Sequence, residues 1–357
     1  MFVLLLSALF FCFGYMTGSD WRAYEAYYDY LASPDFYEIA LLEPGYKLYS
    51  WLFEHIGFSF WPYFILTKLV LFYIVVRYVR KIAPERLFIF SMTFFFFYFG
   101  LFLFIDNPMR NFIAVGISLF SYKYLLSREI GKYVMVVLLA TCFHFSAVLL
   151  LFVYFLYPIR MKNRTIIISY IVFNLIFVLA FEKIIINISE FFAFIPKVEE
   201  KMISYFIDGD ELAGNTLFSV GFLFQLIMFA LLLLKRGSIE SANYGKLIFW
   251  GSIAYLFLYR IGLIVEILYR FQLYFSILYS IGICLLFHVI RGYKQKLLYF
   301  CFIASFLFLI LIQTITSSEK YIPYTNYIQY IFDHELSFEE RSQYNFIHSP
   351  YANKRHE

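Results

Sequence analysis

Residues 101–118 read LFLFIDNPMRNFIAVGIS. Two apolar runs meet at a short junction, Asp106–Arg110, made mostly of polar and turn-forming residues. The apolar flanks have the character of membrane-spanning helix, and the junction is where one span ends and the next begins. Working outward, the pattern repeats: apolar runs of roughly 17 to 25 residues recur along the chain. The composition is 62% hydrophobic and 15% charged, outside the range of soluble globular proteins. The net charge of +4 over 357 residues gives no reason to expect nucleic acid as a partner.

The spacing predicts spans near 2–16, 60–77, 87–105, 111–127, 165–182, 216–234, 247–265, 271–290 and 297–315. Residues 1–16 lack the basic start and small-residue cleavage pattern of a signal peptide, so an uncleaved first span is expected. Basic clusters stand at Arg77/Arg80/Lys81/Arg86, Lys123/Arg128/Lys132, Arg160/Lys162/Arg164, Lys235/Arg236/Lys246 and Arg291/Lys294/Lys296. Basic loops stay on the cytoplasmic side. All five can do so only if 133–157, YVMVVLLATCFHFSAVLLLFVYFLY, enters the membrane and returns as a short-helix hairpin with His144 near its tip. The expected fold is therefore an all-α polytopic membrane protein. It has about nine full transmembrane helices plus the hairpin, or roughly 10–11 membrane segments. Residues 1–316 form one transmembrane domain, and 317–357 a C-terminal tail on the outer side. Two acidic loops, 17–59 and 183–215, face the exterior. In the first, Tyr24, Tyr27, Tyr28 and Leu31 share one helical face. This suits a helix lying on the membrane surface, or an aromatic platform for sugar rings.

Several residues could carry chemistry. Asp106 or Asn107 can cap a helix that Pro108 helps to start, and Arg110 then sits in its first turn. A helix N-terminus with an arginine suits an anion such as phosphate; the bland reading is an i, i+4 pair with Asp106. Arg260 and Arg270 flank a second apolar stretch, with Glu266 four residues before Arg270. That spacing is either a salt bridge at a span end or a charged substrate path. His144 in ATCFHFSAVLL is a core histidine or an acid–base group. Glu43, fixed before the Pro44–Gly45 turn, and Asp20 at the lip of the first span are carboxylate candidates. The four cysteines are scattered through apolar runs and form no metal-ligand pattern. No Walker loop, GxGxxG, HExxH or CxxC occurs, so neither a cofactor nor a metal is expected.

The order of motifs resembles the EpsG/Wzy family of bacterial polysaccharide polymerases. It runs GSDWRAYEAYYDY (18–30), EPGYKLYSWL (43–52), NPMRNFIAVGISLFSYKYL (107–125), ATCFHFSAVLLLF (140–152) and YRFQLYFSI (269–277). The resemblance covers about residues 14–290. It implies a multi-pass protein of the bacterial inner membrane with its active site facing the periplasm or exterior. The reaction implied moves a growing glycan from undecaprenyl pyrophosphate to the non-reducing end of the next lipid-linked oligosaccharide unit. The implied partners are that lipid-linked oligosaccharide, membrane lipid and a polysaccharide chain-length regulator. In this scheme Arg110, Arg270 and Arg260 bind pyrophosphate. His144, Glu43 and Asp20 are the candidate bases, and Arg22, Tyr24 and Tyr46 candidate sugar contacts. A flippase of lipid-linked sugars and an O-antigen ligase-like transferase are the competing classes, since both would use outer-side arginines.

Overall fold

A computed structural model describes residues 2–31, 42–176, 219–262, 266–316, 319–332 and 336–350. Among these the structure is helical, apart from one two-residue antiparallel pairing of β1 (Gly14–Tyr15) with β2 (Thr325–Asn326). The chain divides into two compact units, residues 1–148 with 292–357, and residues 149–291.

Four helices among the described residues are long and apolar enough to cross a membrane: Phe60–Ile82, Glu85–Asp106, Leu268–Val289 and Tyr293–Thr316. Shorter apolar helices are Phe2–Cys12, Ile130–Thr141, Phe145–Leu156, Asn163–Ile176 and Val220–Leu234. Among the described residues fewer helices than the expected nine or so have that length, and local chemistry gives reasons for two of the shorter ones. The first run stops at Cys12 because Gly14–Tyr15 pairs as strand. The run 111–127 breaks at Leu119–Phe120 into two helices. The expected outer loop 183–215, with its Asp208-x-Asp210 pair, lies outside the described residues.

The first unit contains α1 (Phe2–Cys12), α2 (Trp21–Tyr30), α3 (Pro44–His55), α4 (Phe60–Ile82) and α5 (Phe88–Phe95). The last of these widens into a π-helical stretch, Phe96–Asp106. Its wider i→i+5 bonding is still visible where Asn107 N–H meets Phe102 O at 2.9 Å. Then come α6 (Met109–Ser118), α7 (Ser121–Ser127) and α8 (Ile130–Thr141). Aromatic stacking ties the long helices together: the Phe96 ring lies 4.9 Å from Phe11 and 5.3 Å from Phe72. In the phenylalanine run 94–97 three rings are buried and Phe97 faces outward.

Arg80, Lys81 and Arg86 collect where α4 hands over to α5, and Asp106 closes the other end. The helix Tyr293–Thr316 starts at Lys294 and Lys296 and ends next to Lys320, which pairs with Asp106 at 2.5 Å.

α2 buries the face that its period selects, with Tyr24, Tyr27, Tyr28 and Leu31 all inside. Its partner is protein, not the membrane surface. Tyr28 stacks on Tyr63 at 4.7 Å and donates to Phe58 O, while Tyr24 and Tyr27 flank Tyr46.

The tail also folds onto this end. Its helix Phe338–His348 opens with a Ser337/Glu340 capping box. Arg22 donates twice to Ser342 O, and Arg341 pairs with Glu25 at 2.8 Å, with both side chains under 10% exposed. Asn345 donates to Lys320 O.

The second unit contains α9 (Leu150–Leu156) and is built around the helices Gly245–Gly262 and Ser276–Val289. They approach closely because Gly282 faces Ser252, whose hydroxyl crosses to Leu278 O at 3.2 Å. Tyr255 stacks on Tyr279 at 4.2 Å, and Tyr279 donates to Gln225.

Replacing Arg341 by Leu leaves the Glu25 carboxylate buried without its cation, and thermal unfolding in detergent should register a loss of about 3 kcal/mol. The double replacement Glu25→Leu with Arg341→Leu should cost less than either single change. A double variant as damaged as the sum of the singles would mean that the pair is not what holds the tail helix.

Candidate functional site

Glu43 sits at the N-cap of α3 with an extended backbone, followed by Pro44 in the first turn. An N-cap carboxylate ordinarily accepts from its own helix. This one makes no such bond. Instead it reaches across the unit: Oε2 lies 2.6 Å from Arg110 Nη1, and Oε1 accepts from Phe145 N–H at 3.4 Å.

Arg110 occupies the first turn of α6. Pro108 holds the N-cap position, Asn107 is left-handed, and Asp106 belongs to the preceding π-helical stretch, so neither Asp106 nor Asn107 caps α6. The bland pairing of Arg110 with Asp106 is therefore overturned. The Asp106 carboxylate is occupied by Ser19 N–H (3.0 Å), Ser19 Oγ (2.7 Å), Lys320 Nζ (2.5 Å) and Tyr321 OH (3.1 Å). Arg110 spends its charge on Glu43, and its main-chain N–H meets Tyr24 OH at 3.4 Å. Its Nε is buried and has no hydrogen-bond partner among the described residues.

His144 follows α8, where the helix stops at Thr141 and a 3₁₀ turn starts at Phe145. A break in an apolar segment frees backbone groups that need partners. The Glu43–Gly45 turn supplies them: Gly45 N–H donates to Cys142 O at 2.8 Å, and Phe145 N–H donates to Glu43. Gly45 is needed for this approach, since a Cβ there would lie 2.7 Å from Cys142 O. The His144 ring is fixed through Nδ1, which faces Ser146 N–H at 3.3 Å, Ser146 Oγ at 2.7 Å and Asn111 Nδ2 at 3.5 Å. Asn111 Nδ2 also donates to Ser146 Oγ at 3.4 Å.

Three residues far apart in sequence, Glu43, Arg110 and His144, are thus gathered at one end of the first unit. Asp20 is at the margin, accepting from Ser19 Oγ at 3.2 Å one turn ahead of Tyr24. The proposed sugar contacts are inside the fold. Arg22 is held by the carbonyls of Gly18 and Ser342 and lies 5.1 Å from the Trp21 ring. Tyr46 is fully buried and Tyr24 nearly so. Burial pushes both phenols above their ordinary range, with the Arg110 charge pulling the other way, so both stay protonated. Arg260 and Arg270 belong to the second unit, where Arg260 lies 4.7 Å from the Phe222 ring. The Glu266 side chain, which spacing pairs with Arg270, lies outside the described part. Sequence reasoning missed Asn111 and Ser146. Asn111 adjoins Arg110, and Ser146 is the serine of FHFSA, so the signal was their place inside the quoted motifs.

The model of the EpsG family matches residues 1–327, so the chain belongs to that family. Family and apolar helices together make it a membrane protein of polysaccharide biosynthesis. Neither the curated proteins nor the solved structures give a match.

Gly45→Ala places a methyl group against Cys142 O and pulls Glu43 away from Arg110 and Phe145. Surface-glycan synthesis should fall about tenfold or more while the protein still accumulates in the membrane. Immunoblotting of membranes beside a glycan gel checks both parts of this expectation.

Proposed function

We propose that this member of the EpsG family is a polysaccharide repeat-unit polymerase of the bacterial plasma membrane, with its site on the outer side. The donor is a glycan on undecaprenyl pyrophosphate, and the acceptor is the non-reducing end of the next lipid-linked oligosaccharide. The observation that carries the reading is the Glu43–Arg110 pair beside His144, at the end of the unit away from the Arg80/Lys81/Arg86 cluster. Basic loops face the cytoplasm, so the opposite end faces out.

The pair suits the chemistry. Departure of lipid pyrophosphate builds negative charge on the phosphate oxygen as the C1–O bond breaks, and a guanidinium fork stabilises that charge. A phosphate arriving at Arg110 competes with Glu43 for the same cation. Once displaced, the Glu43 carboxylate can take the proton from the attacking acceptor hydroxyl. The acceptor oxygen then bonds to C1 as lipid pyrophosphate leaves with the electron pair. No nucleotide is needed, because the phosphoanhydride-linked lipid is the leaving group. A single displacement of this kind inverts the anomeric configuration.

Glycan gels from cells lacking the gene provide the test. The deletion should leave single units, and the wild-type gene should restore the ladder. Arg110→Ala at equal abundance should lose about a hundredfold of polymer. Arg110→Lys should recover little of that loss, because an ammonium lacks the bidentate fork. If the deletion removes even the single unit, the flippase or ligase class takes over.

A further inference from the structure

We infer that α3 is set into the outer leaflet of the membrane, with Leu48, Trp51, Leu52 and Ile56 against lipid acyl chains and its Glu43 end the deeper one. The partner of this face is bilayer lipid. The choice of leaflet rests on the polymerase reading, which puts this end of the unit outside.

α3 has two apolar faces. One meets protein: Tyr46 and Ser50 are buried, and Tyr49 and Phe53 reach α4. The other carries Leu48, Trp51 and Leu52, which share one side at the helical period. Leu48 is 65% exposed, Leu52 47%, and Ile56, just past the helix, 64%. Large apolar side chains gathered on one outward face mark a contact surface. The polar Lys47 and Glu54 stand seven residues apart, on a flank between the two faces.

Contacts with α4 set the depth of the helix. The Phe53 ring lies 5.3 Å from Tyr63, Ser50 Oγ lies 2.9 Å from Tyr63 OH, and Tyr49 OH lies 2.9 Å from Thr67 Oγ1. Earlier residues of α3 thus meet later residues of α4. Thr67 is seven residues into a helix that starts at Phe60 and runs inward to Arg80 and Lys81, so it lies about 10 Å below the outer end. Followed back toward Glu43, α3 therefore descends beside a span. The surface around it is continuous with lipid-facing surface. α4 is long and apolar enough to cross a membrane, and it turns Leu66, Val70 and Tyr73 outward. Leu66 adjoins Thr67, the residue Tyr49 touches, so this lipid face begins beside the α3 contact. At the shallower end Trp51 stacks on His55 at 4.1 Å, and an aromatic ring with a polar neighbour suits the boundary between bilayer and water. At the deeper end Phe145, whose amide binds Glu43, is 62% exposed, so apolar surface extends to the charged pair. On the polymerase reading, a lipid-linked phosphate meets Arg110 while its hydrocarbon stays among the acyl chains.

Spin labels on the full chain in phospholipid vesicles test this, placed singly through Leu48→Cys, Leu52→Cys and Ile56→Cys, with the four native cysteines changed to alanine. Oxygen enters acyl chains, and a water-soluble nickel chelate does not. Val70→Cys on the outward stripe of α4 is the lipid reference. Gly131→Cys, exposed beside Lys132 with no atom within 4 Å of its Cβ, is the water reference. The ratio of oxygen to nickel accessibility at positions 48 and 52 should lie near that at 70 and several-fold above that at 131. Nickel accessibility should fall from 56 to 52 to 48. Ratios like that of position 131 would put the face in water and overturn the inference. Exclusion of both reagents would mean a face covered by protein, a second copy or another chain, and would overturn it too. Nickel accessibility that rises from 56 to 48 would overturn the depth order. The photoreactive residue p-benzoylphenylalanine in place of Leu52, in the chain with its cysteines intact, reads the same contact. Lipid adducts are expected under ultraviolet light, and adducts to protein alone would overturn the lipid assignment. These measurements use no activity, so their failure is distinct from a failure of the polymerase test.

Discussion

The break in the chain at Cys142–His144 imposes a demand that much of this end of the molecule answers. An interrupted helix in apolar surroundings leaves amides and carbonyls without their helical partners, and each costs roughly 1–3 kcal/mol if it is buried and unmet. The turn at Glu43–Gly45 meets two of them, one through the glycine amide and one through the glutamate side chain. A single turn thus seals the break and delivers a carboxylate to Arg110. Satisfying the backbone and building the charged pair are one structural event. This accounts for an extended glutamate, a proline and a glycine standing in that order.

Asp106 plays the corresponding part on the other side of the same junction. Four donors converge on its carboxylate, from the segment after α1 and from the segment after the last long helix. A buried carboxylate is costly when unpaired, and here a lysine and three neutral donors compensate it. The left-handed turn at Asn107 then starts α6 afresh, with Arg110 in its first turn. Gly18, at a positive φ of 89°, lets the first loop press against Ile105 O, where any Cβ would lie 2.2 Å away. Asp106 therefore holds structure so that Arg110 can be committed elsewhere. The two acidic groups near Arg110 divide the labour, one anchoring segments and the other pairing with the cation.

Legibility in the sequence followed the range of the interactions. Apolar run length and helical period are local properties, and they were enough for the helical membrane class, the buried stripe of α2 and the break at His144. Arg110, Glu43 and His144 could be named singly, because a helix start, a Pro-Gly turn and a polar residue in an apolar run each leave a local trace. Their meeting could not be read. The Glu43–Arg110 contact crosses 67 residues and Lys320–Asp106 crosses 214, and no periodicity encodes such pairs. The i, i+4 rule pointed Arg110 at Asp106 because it sees only one helix. It failed where the π-helical stretch and Asn107 separate the two residues into different elements. The tyrosines of α2 misled for a related reason: an amphipathic stripe states that a face is covered, and says nothing of what covers it.

The electrostatics of the cluster follow from its half-buried setting. A lone guanidinium there would bear a desolvation cost, and a lone carboxylate likewise, whereas the pair can rest without substrate. In the reaction we propose, an incoming phosphate competes for the same fork, and it carries more charge than a carboxylate.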